Sequence, residues 1–353
     1  MLIIRPCQHS DLADLLSLSR ATGAGMTSMP ADEAAWLAKI EASQRAFSLT
    51  TDSSKPASHS YFMVLEDPNS GRVVGTTAVY TGIGLEKPFY SYKLSTLVTR
   101  SRDLALTRKA QVLNLVNDYT GSTEVGSLFL LPEARQPGVG RFLSRGRFLL
   151  MADFPTRFGD RVMAELRGWQ DEQGQSPLWQ HLGSKFFGIE FQQAVEAVAL
   201  KGPQFITDMM PRHPIHLELL PDSARAVIGK PHPSSAPAMN MLLKEGFEFD
   251  GYVDLFDGGP SIHAQISDVH GVRDSRTAAI SISRRPLKAA TEMMLSNGRL
   301  DQYRLVQAPA RLLADGRLQL EATCAEALQL QPGDRVRFLE SRQAQSQAQH
   351  AVA

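Results

Sequence analysis

Cysteine is nearly absent from this chain, and so are long apolar runs and any excess of charge. Two cysteines, Cys7 and Cys324, stand far apart in 353 residues and fit no metal-ligand spacing. They exclude a disulfide-stapled scaffold, and a reducing cytoplasm is the expected compartment. No stretch approaches the roughly 18 consecutive apolar residues of a membrane-spanning helix. The opening Met-Leu-Ile-Ile-Arg-Pro lacks the basic-then-apolar layout of a signal peptide and reads as a β-strand. Lys plus Arg equals Asp plus Glu at 37 each, which removes the charge-based case for nucleic acid or an anionic membrane as partner. The nine histidines are scattered, none with a carboxylate at helical spacing, so no metal site is expected. What remains is a neutral globular chain whose length suggests two or three domains with ample core.

Local patterning alternates strands and helices. Residues 2–5 read as a strand, and Asp11 caps an apolar-periodic helix through Leu12, Leu15, Leu16 and Leu18. A polar loop at 22–30, expected to be flexible, precedes a second helix from Asp32 to about Phe47. Runs at 61–66 and 72–80 flank the turn Asp67-Pro-Asn-Ser-Gly71 and predict a hairpin. Residues 161–167 read as a strand, and 176–187 as a capped helix stopped by Gly183 and followed by an aromatic strand. Residues 238–249 repeat that plan of helix, glycine and aromatic strand, which suggests two related halves. From about residue 275 short β-like runs appear at 278–283, 303–307, 318–322 and 335–339, and the Gln- and Ala-rich end is expected to be disordered. The expected division is 1–195, 196–274, a small β-rich module at 275–340 and a tail at 341–353.

The most informative stretch is 127–152. An apolar strand ends at Pro132, a loop with the spacing Arg135-x-x-Gly138-x-Gly140 follows, and then a helix carries Phe142, Leu143, Phe148, Leu149 and Leu150. Glycines between a strand and a helix leave backbone N–H groups unpaired at the positive end of the helix dipole, which suits a pyrophosphate. A nucleotide-triphosphate loop needs Gly-Lys-Ser/Thr, but Arg141-Phe142 follows Gly140. A dinucleotide fold needs parallel βαβ units, whereas strand, two helices, hairpin, strand, loop and helix is a mixed α+β order. The remaining class is the acyl-CoA-dependent, GCN5-related N-acyltransferase superfamily, whose Arg/Gln-x-x-Gly-x-Gly/Ala signature resembles Arg135–Gly140. Its helix-Gly-Phe element resembles Leu182-Gly183 with Phe186 and Phe187. That resemblance implies a mixed, mostly antiparallel sheet with flanking helices.

Several stretches narrow the resemblance to the arginine N-succinyltransferase family. They are Thr22-Gly-Ala-Gly-Met-Thr-Ser-Met-Pro30, Asn117-Asp-Tyr-Thr-Gly-Ser122, Ser176-Pro-Leu-Trp179, Val227-Ile-Gly-Lys-Pro-His-Pro233 and Gly251-Tyr-Val-Asp-Leu-Phe-Asp-Gly-Gly-Pro260. The family implies succinyl transfer from succinyl-CoA to the α-amino group of L-arginine, the first step of arginine succinyltransferase catabolism. It implies succinyl-CoA as a co-substrate, no tightly bound cofactor, and work as a homo- or hetero-oligomer with a homologous subunit. Another amine such as ornithine, an acetyl donor, or a non-catalytic ligand-sensing role stays open at this point.

In this superfamily the strand before the glycine loop splays from its neighbour and pairs with the pantetheine arm through its backbone. Here that strand contains Leu128, where the family's succinyl-CoA contact falls, and Leu130. Arg135, Gly138, Val139 and Gly140 form the expected phosphate loop. His232 matches the family's proton donor, its loop stiffened by Pro231 and Pro233. By residue type alone it is a surface histidine in a proline-rich loop. Glu124 stands where a general base is often kept, and reads equally as a solvated strand-edge carboxylate. Asp254 is a candidate partner for a guanidinium or α-ammonium, whereas Asp257 reads as part of a tight turn. Arg141, Arg145 and Arg147 are candidates for the succinyl carboxylate, and periodicity does not say which faces inward. Phe148/Phe154 and Phe186/Phe187 read as core.

Overall fold

The computed structural model describes residues 1–22, 26, 28–50, 57–201 and 204–340. The tail at 341–353 and residues 23–25 and 27 of the loop at 22–30 lie outside the described residues, and with them the expectations of disorder and flexibility.

The chain opens with β1 (Ile3–Pro6) and α1 (Leu12–Ala21). Asp11 precedes α1 but does not cap it. Its carboxylate accepts the Gln8 N–H at 2.8 Å and pairs with Arg5 at 2.8 Å, which fixes the single turn ahead of the helix. Asp32 does cap α2 (Glu33–Ser48), accepting the Ala35 N–H at 2.7 Å. The predicted hairpin is β2 (His59–Asp67) and β3 (Arg72–Thr81). A second, longer hairpin, β4 (Ser91–Ser101) with β5 (Leu106–Val116), was not expected from the pattern. Its outer half is exposed on both faces, so the alternation that marks a half-buried strand is weak there.

Next come β6 (Thr123–Leu130), α3 (Val139–Asp153) and β7 (Arg161–Glu165). The expected aromatic strand at Phe186 and Phe187 is instead α4 (Ser184–Phe187), which continues a π-helical turn at Trp179–Gly183. Gly183 does not stop this helix. It is there for packing, since a Cβ would lie 2.4 Å from the Trp179 ring, and the left-handed stop is Gly188. Phe187 stacks on Trp179 at 5.2 Å, whereas Phe186 is exposed rather than core.

The chain continues through α5 (Phe191–Lys201), α6 (Gln204–Met209), β8 (Ile215–His216), α7 (Asp222–Arg225), α8 (Ala236–Leu243), β9 (Glu248–Val253) and β10 (Pro260–Gln265). The plan of helix, glycine and strand is realised here, with Gly246 between α8 and β9 at φ 103°. The last part contains α9 (His270–Arg273), β11 (Arg276–Ser283), β12 (Thr291–Ser296), β13 (Leu305–Leu312), β14 (Leu318–Glu321), α10 (Ala322–Leu328) and β15 (Arg335–Glu340).

The described strands join in the order β12-β15-β11-β14-β13-β1-β2-β3-β6-β7-β10-β9-β4-β5-β8, antiparallel except at β6–β7 and β11–β14. The fold is the expected α+β class with a mixed, mostly antiparallel sheet. Pairing of β12 with β13 closes β11–β15 into a small barrel filled by Ile280, Leu295, Val306, Leu318, Leu320 and Val336. That barrel joins the main sheet where Ile3 of β1 meets Val306. Helix α3 covers one face of the sheet with Phe142, Leu143, Phe148, Leu149 and Leu150, all buried as the pattern predicts. Helices α1 and α2 cover the other around Trp36, Phe62 and Val64. Truncating one of these large core side chains to alanine costs roughly 2–5 kcal/mol.

Candidate active site

The site is built on a gap in the sheet. Strands β6 and β7 run parallel, but they pair only at Thr123↔Val162 and Glu124↔Met163. Beyond those two rungs β7 follows β10 to Glu165, while β6 follows β3 to Leu130. The cause is a bulge in β6 where the β3 register shifts between Thr76 and Ala78 and Ser127 adopts φ 50°. Two bonds hold it: the Thr76 hydroxyl donates to the Ser127 carbonyl at 2.8 Å, and the Tyr80 and Ser127 hydroxyls lie 2.7 Å apart. The edge of β6 that faces β7 from Val125 to Leu130, including Leu128, therefore has no strand partner among the described residues.

The glycine loop lies at one end of that gap. After Leu130 a short 3-10 turn, Pro132–Ala134, leads into Gly138, which is left-handed at φ 91° and starts α3. Val139 N–H donates to Gln136 and Phe142 N–H to Gly138, while the amides of Gly138, Gly140 and Arg141 find no backbone acceptor among the described residues. The Arg135 guanidinium folds back to donate to the Leu130 carbonyl at 3.0 Å. A Cβ at Gly140 would meet nothing within 4 Å, and its backbone is ordinary helix. The glycine there answers to no packing demand, which fits a demand from an approaching anion. Arg145 and Arg147 are both buried and engaged, Arg145 with Glu245 at 2.9 Å and Arg147 with the Ser144 carbonyl. Arg141 alone of the three is exposed.

Carboxylates gather at the other end. Glu124 occupies the last paired rung of β6, and burial pushes its carboxyl up to about 7, partly countered by Lys39 of α2. Lys39 is itself lowered by burial. Glu165 lies two residues further along β7 than Glu124's rung, on the same face of the sheet. Burial, then Asp254, Glu124 and Asp257, raise its carboxyl well above the usual range. Asp254 and Asp257 are raised by burial too. Asp257 is a turn residue, as expected, its two oxygens accepting Gly168 N–H at 2.7 Å and Gly259 N–H at 2.9 Å. One oxygen of Asp254 accepts Phe256 and Asp257 N–H at 2.7 and 3.0 Å.

His232 is brought to the continuation of β7. Its N–H donates to the Arg167 carbonyl at 2.8 Å, flanked by a bridge between Gly168 and Pro231. Arg167 follows Glu165 by two residues, roughly 6.6 Å along an extended chain. Nδ1 of His232 lies 2.7 Å from the Ser234 hydroxyl and 3.2 Å from the Ser234 amide; with both groups donating to it, Nδ1 is the acceptor and the neutral ring carries its proton on Nε2. Burial and the Arg167 charge lower the imidazole below its usual value.

Two family models match this chain. That for the arginine N-succinyltransferase beta subunit covers residues 2–271, and that for the beta subunit's C-terminal domain covers 276–340. The chain belongs to the arginine N-succinyltransferase family. It is 40% identical over 341 residues to the arginine N-succinyltransferase of Salmonella schwarzengrund (strain CVM19633), spanning 96% of this chain and 97% of that one. It is 39% identical over 345 residues to the arginine N-succinyltransferase of Yersinia pseudotuberculosis serotype I, with the same shares covered. The solved structure of the arginine/ornithine succinyltransferase subunit AI from Pseudomonas aeruginosa aligns with a TM-score of 0.87 at 35% identity, over 96% of this chain and 98% of that one.

As an acyltransferase of this family, the chain joins motifs that are remote in sequence. Glu124 and Asp254 converge on Glu165, and His232 meets the chain just beyond that strand at Arg167. Glu165, Lys39 and Arg167 were missed by the sequence reading. The signal for Glu165 was available: it is the acid that ends an apolar strand, Val162-Met163-Ala164-Glu165. Lys39 carries no such mark, because it looks like any polar position on α2.

Proposed function

We propose that this protein transfers the succinyl group of succinyl-CoA to the α-amino group of L-arginine, giving N2-succinyl-L-arginine and free CoA. The observation that carries the reading is the opening between β6 and β7, with the glycine loop at one end and Glu124 at the other. Leu130 stands six residues on from Glu124 along the strand, roughly 20 Å. The pantetheine arm is a ladder of amides, and the free edge of β6 at Leu128 and Leu130 offers amides to match it as an added strand would. Arg135, Gly138, Val139 and Gly140 would take the pyrophosphate.

The chemistry then needs a free amine, a positioned carbonyl, an oxyanion donor and a protonated leaving group. Glu124, with a carboxyl near 7, accepts the proton of the α-ammonium. The amine attacks the thioester carbon, an unpaired β6 amide near the Ser127 bulge holds the oxyanion, and His232 Nε2–H protonates the departing thiolate. Asp254 helps to hold the positive substrate. In this reading residues 1–195 supply the coenzyme site, 196–274 bring His232 and Asp254, and 275–340 form a separate module. Two free, buried cysteines are compatible with a cytoplasmic setting. The matching descriptions "beta subunit" and "subunit AI" support work as an oligomer with a like or homologous subunit.

The test is thiol release from succinyl-CoA with and without arginine, and the product mass. No arginine-dependent release overturns the reading. Ornithine belongs in the same assay, since the Pseudomonas relative is described as an arginine/ornithine enzyme.

A further inference from the structure

Glu165 is the side chain in this site to which the mechanism gives no task, and its surroundings are one-sided. Lys39 faces Glu124 and Arg167 faces Asp257, but Glu165 and Asp254 have no cation within ion-pair distance among the described residues. Both are half-buried, and a carboxylate partly withdrawn from water beside other carboxylates is unfavourable unless something positive joins it. Ser261, fully buried on β10, is the register partner of Glu165; its hydroxyl is near enough to lower that carboxyl slightly against the burial, but makes no hydrogen bond of normal geometry. A cationic N–H donor placed there would satisfy both.

The spacing says which part of the substrate fits. Glu124 and Glu165 project from one face of adjacent strands, offset by two residues, so their backbones stand roughly 8 Å apart on the diagonal. The extended chain of an arginine from its α-nitrogen to its guanidinium carbon, built of bonds of about 1.5 Å, reaches roughly 7 Å. With its α-amino group at Glu124, the far end of the amino acid arrives at Glu165. Resting on the arginine reading above, we propose that Glu165, with Asp254 beside it, is the subsite for the side-chain cation of the substrate and so selects a dibasic amino acid.

The test compares L-arginine with L-citrulline, which has the same length and a neutral ureido end, on the full-length protein with succinyl-CoA. The wild type favours arginine in kcat/KM by at least about a hundredfold. Glu165→Gln raises the KM for arginine on the order of a hundredfold, leaves the KM for succinyl-CoA unchanged, and brings the two acceptors within about tenfold of each other. Glu165→Asp recovers part of the preference. A Gln variant that still discriminates, or that loses turnover equally on both acceptors, overturns the assignment. A thermal shift without succinyl-CoA reads the subsite independently: arginine but not citrulline protects the wild type, and neither protects the variant. Arginine protection that survives in the variant also overturns it. If the wild type succinylates neither acceptor yet arginine protection still depends on Glu165, the reaction assigned above fails and the subsite stands.

Discussion

Ser234 meets Nδ1 of His232 twice, with its hydroxyl at 2.7 Å and its amide at 3.2 Å, and with both donating the neutral ring carries its proton on Nε2. A ring held in that tautomer is a donor toward whatever faces Nε2. His232→Ala is expected to lower kcat by about 10²- to 10⁴-fold, the usual worth of a positioned proton donor. Ser234→Ala removes the closer hydroxyl contact but keeps the amide donating to Nδ1, and its kcat is expected to stay within about threefold. Steady-state thiol release with saturating succinyl-CoA measures both, and equal losses in the two variants would refute the tautomer argument.

Glu124 sets the acid limb of the pH profile. Its carboxyl near 7 must be ionised to accept a proton, so kcat/KM falls as pH drops through about 7. Glu124→Gln is expected to lose about 10²- to 10⁴-fold at pH 8 and to lose this limb as well. A profile for the Gln variant that keeps the wild-type limb would assign it to another group.

The two loop glycines separate structure from ligand. Gly138 sits at φ 91°, where any Cβ is strained, so Gly138→Ala costs about 1–2 kcal/mol in thermal unfolding. Gly140→Ala meets open space on a helical backbone and leaves stability unchanged or slightly raised. Its KM for succinyl-CoA nevertheless rises about tenfold, since one lost anion contact is worth roughly 1.4 kcal/mol. An unchanged KM would mean that the anion does not reach this turn.

Leu128 is expected to act through its backbone. It is part-buried against the core around α3, and Leu128→Ala shifts the KM for succinyl-CoA by less than about threefold while lowering stability by roughly 1–2 kcal/mol. A tenfold KM effect at unchanged stability would give its side chain a direct role.

Glu165 also carries a stability signature of opposite sign to its use. Its carboxyl is raised above the unfolded value near 4.5, so the folded state holds its proton more tightly and loses stability as pH rises above that value. Glu165→Gln lacks this loss. Its Tm relative to the wild type should climb steadily from pH 5 to pH 8, and a flat difference would show that Glu165 ionises without penalty.

Much of this protein was legible in its residues because the relevant physics is local. The run Arg135–Gly140 between an apolar strand and an amphipathic helix specifies a turn with free amides suited to an anion, since positive φ and free amides follow from glycine and a helix start. The apolar stripe of α3 and the hairpin at Asp67–Gly71 follow from periodicity and turn chemistry in the same way. The helix through Phe186 and Phe187 was misread because Gly183 is there for the Trp179 ring, a contact no short-range pattern reveals. Only the tertiary structure decided the rest. The bulge at Ser127 opens β6 from β7, β10 fills the far side of β7, and the loop around Pro231 is stitched to Gly168. Those pairings join residues some forty to one hundred positions apart, and on them depends whether Glu165 and Asp254 are separate surface carboxylates or near enough to raise one another. Sequence set the identity of the charges, and long-range strand pairing set which of them share one half-buried cluster.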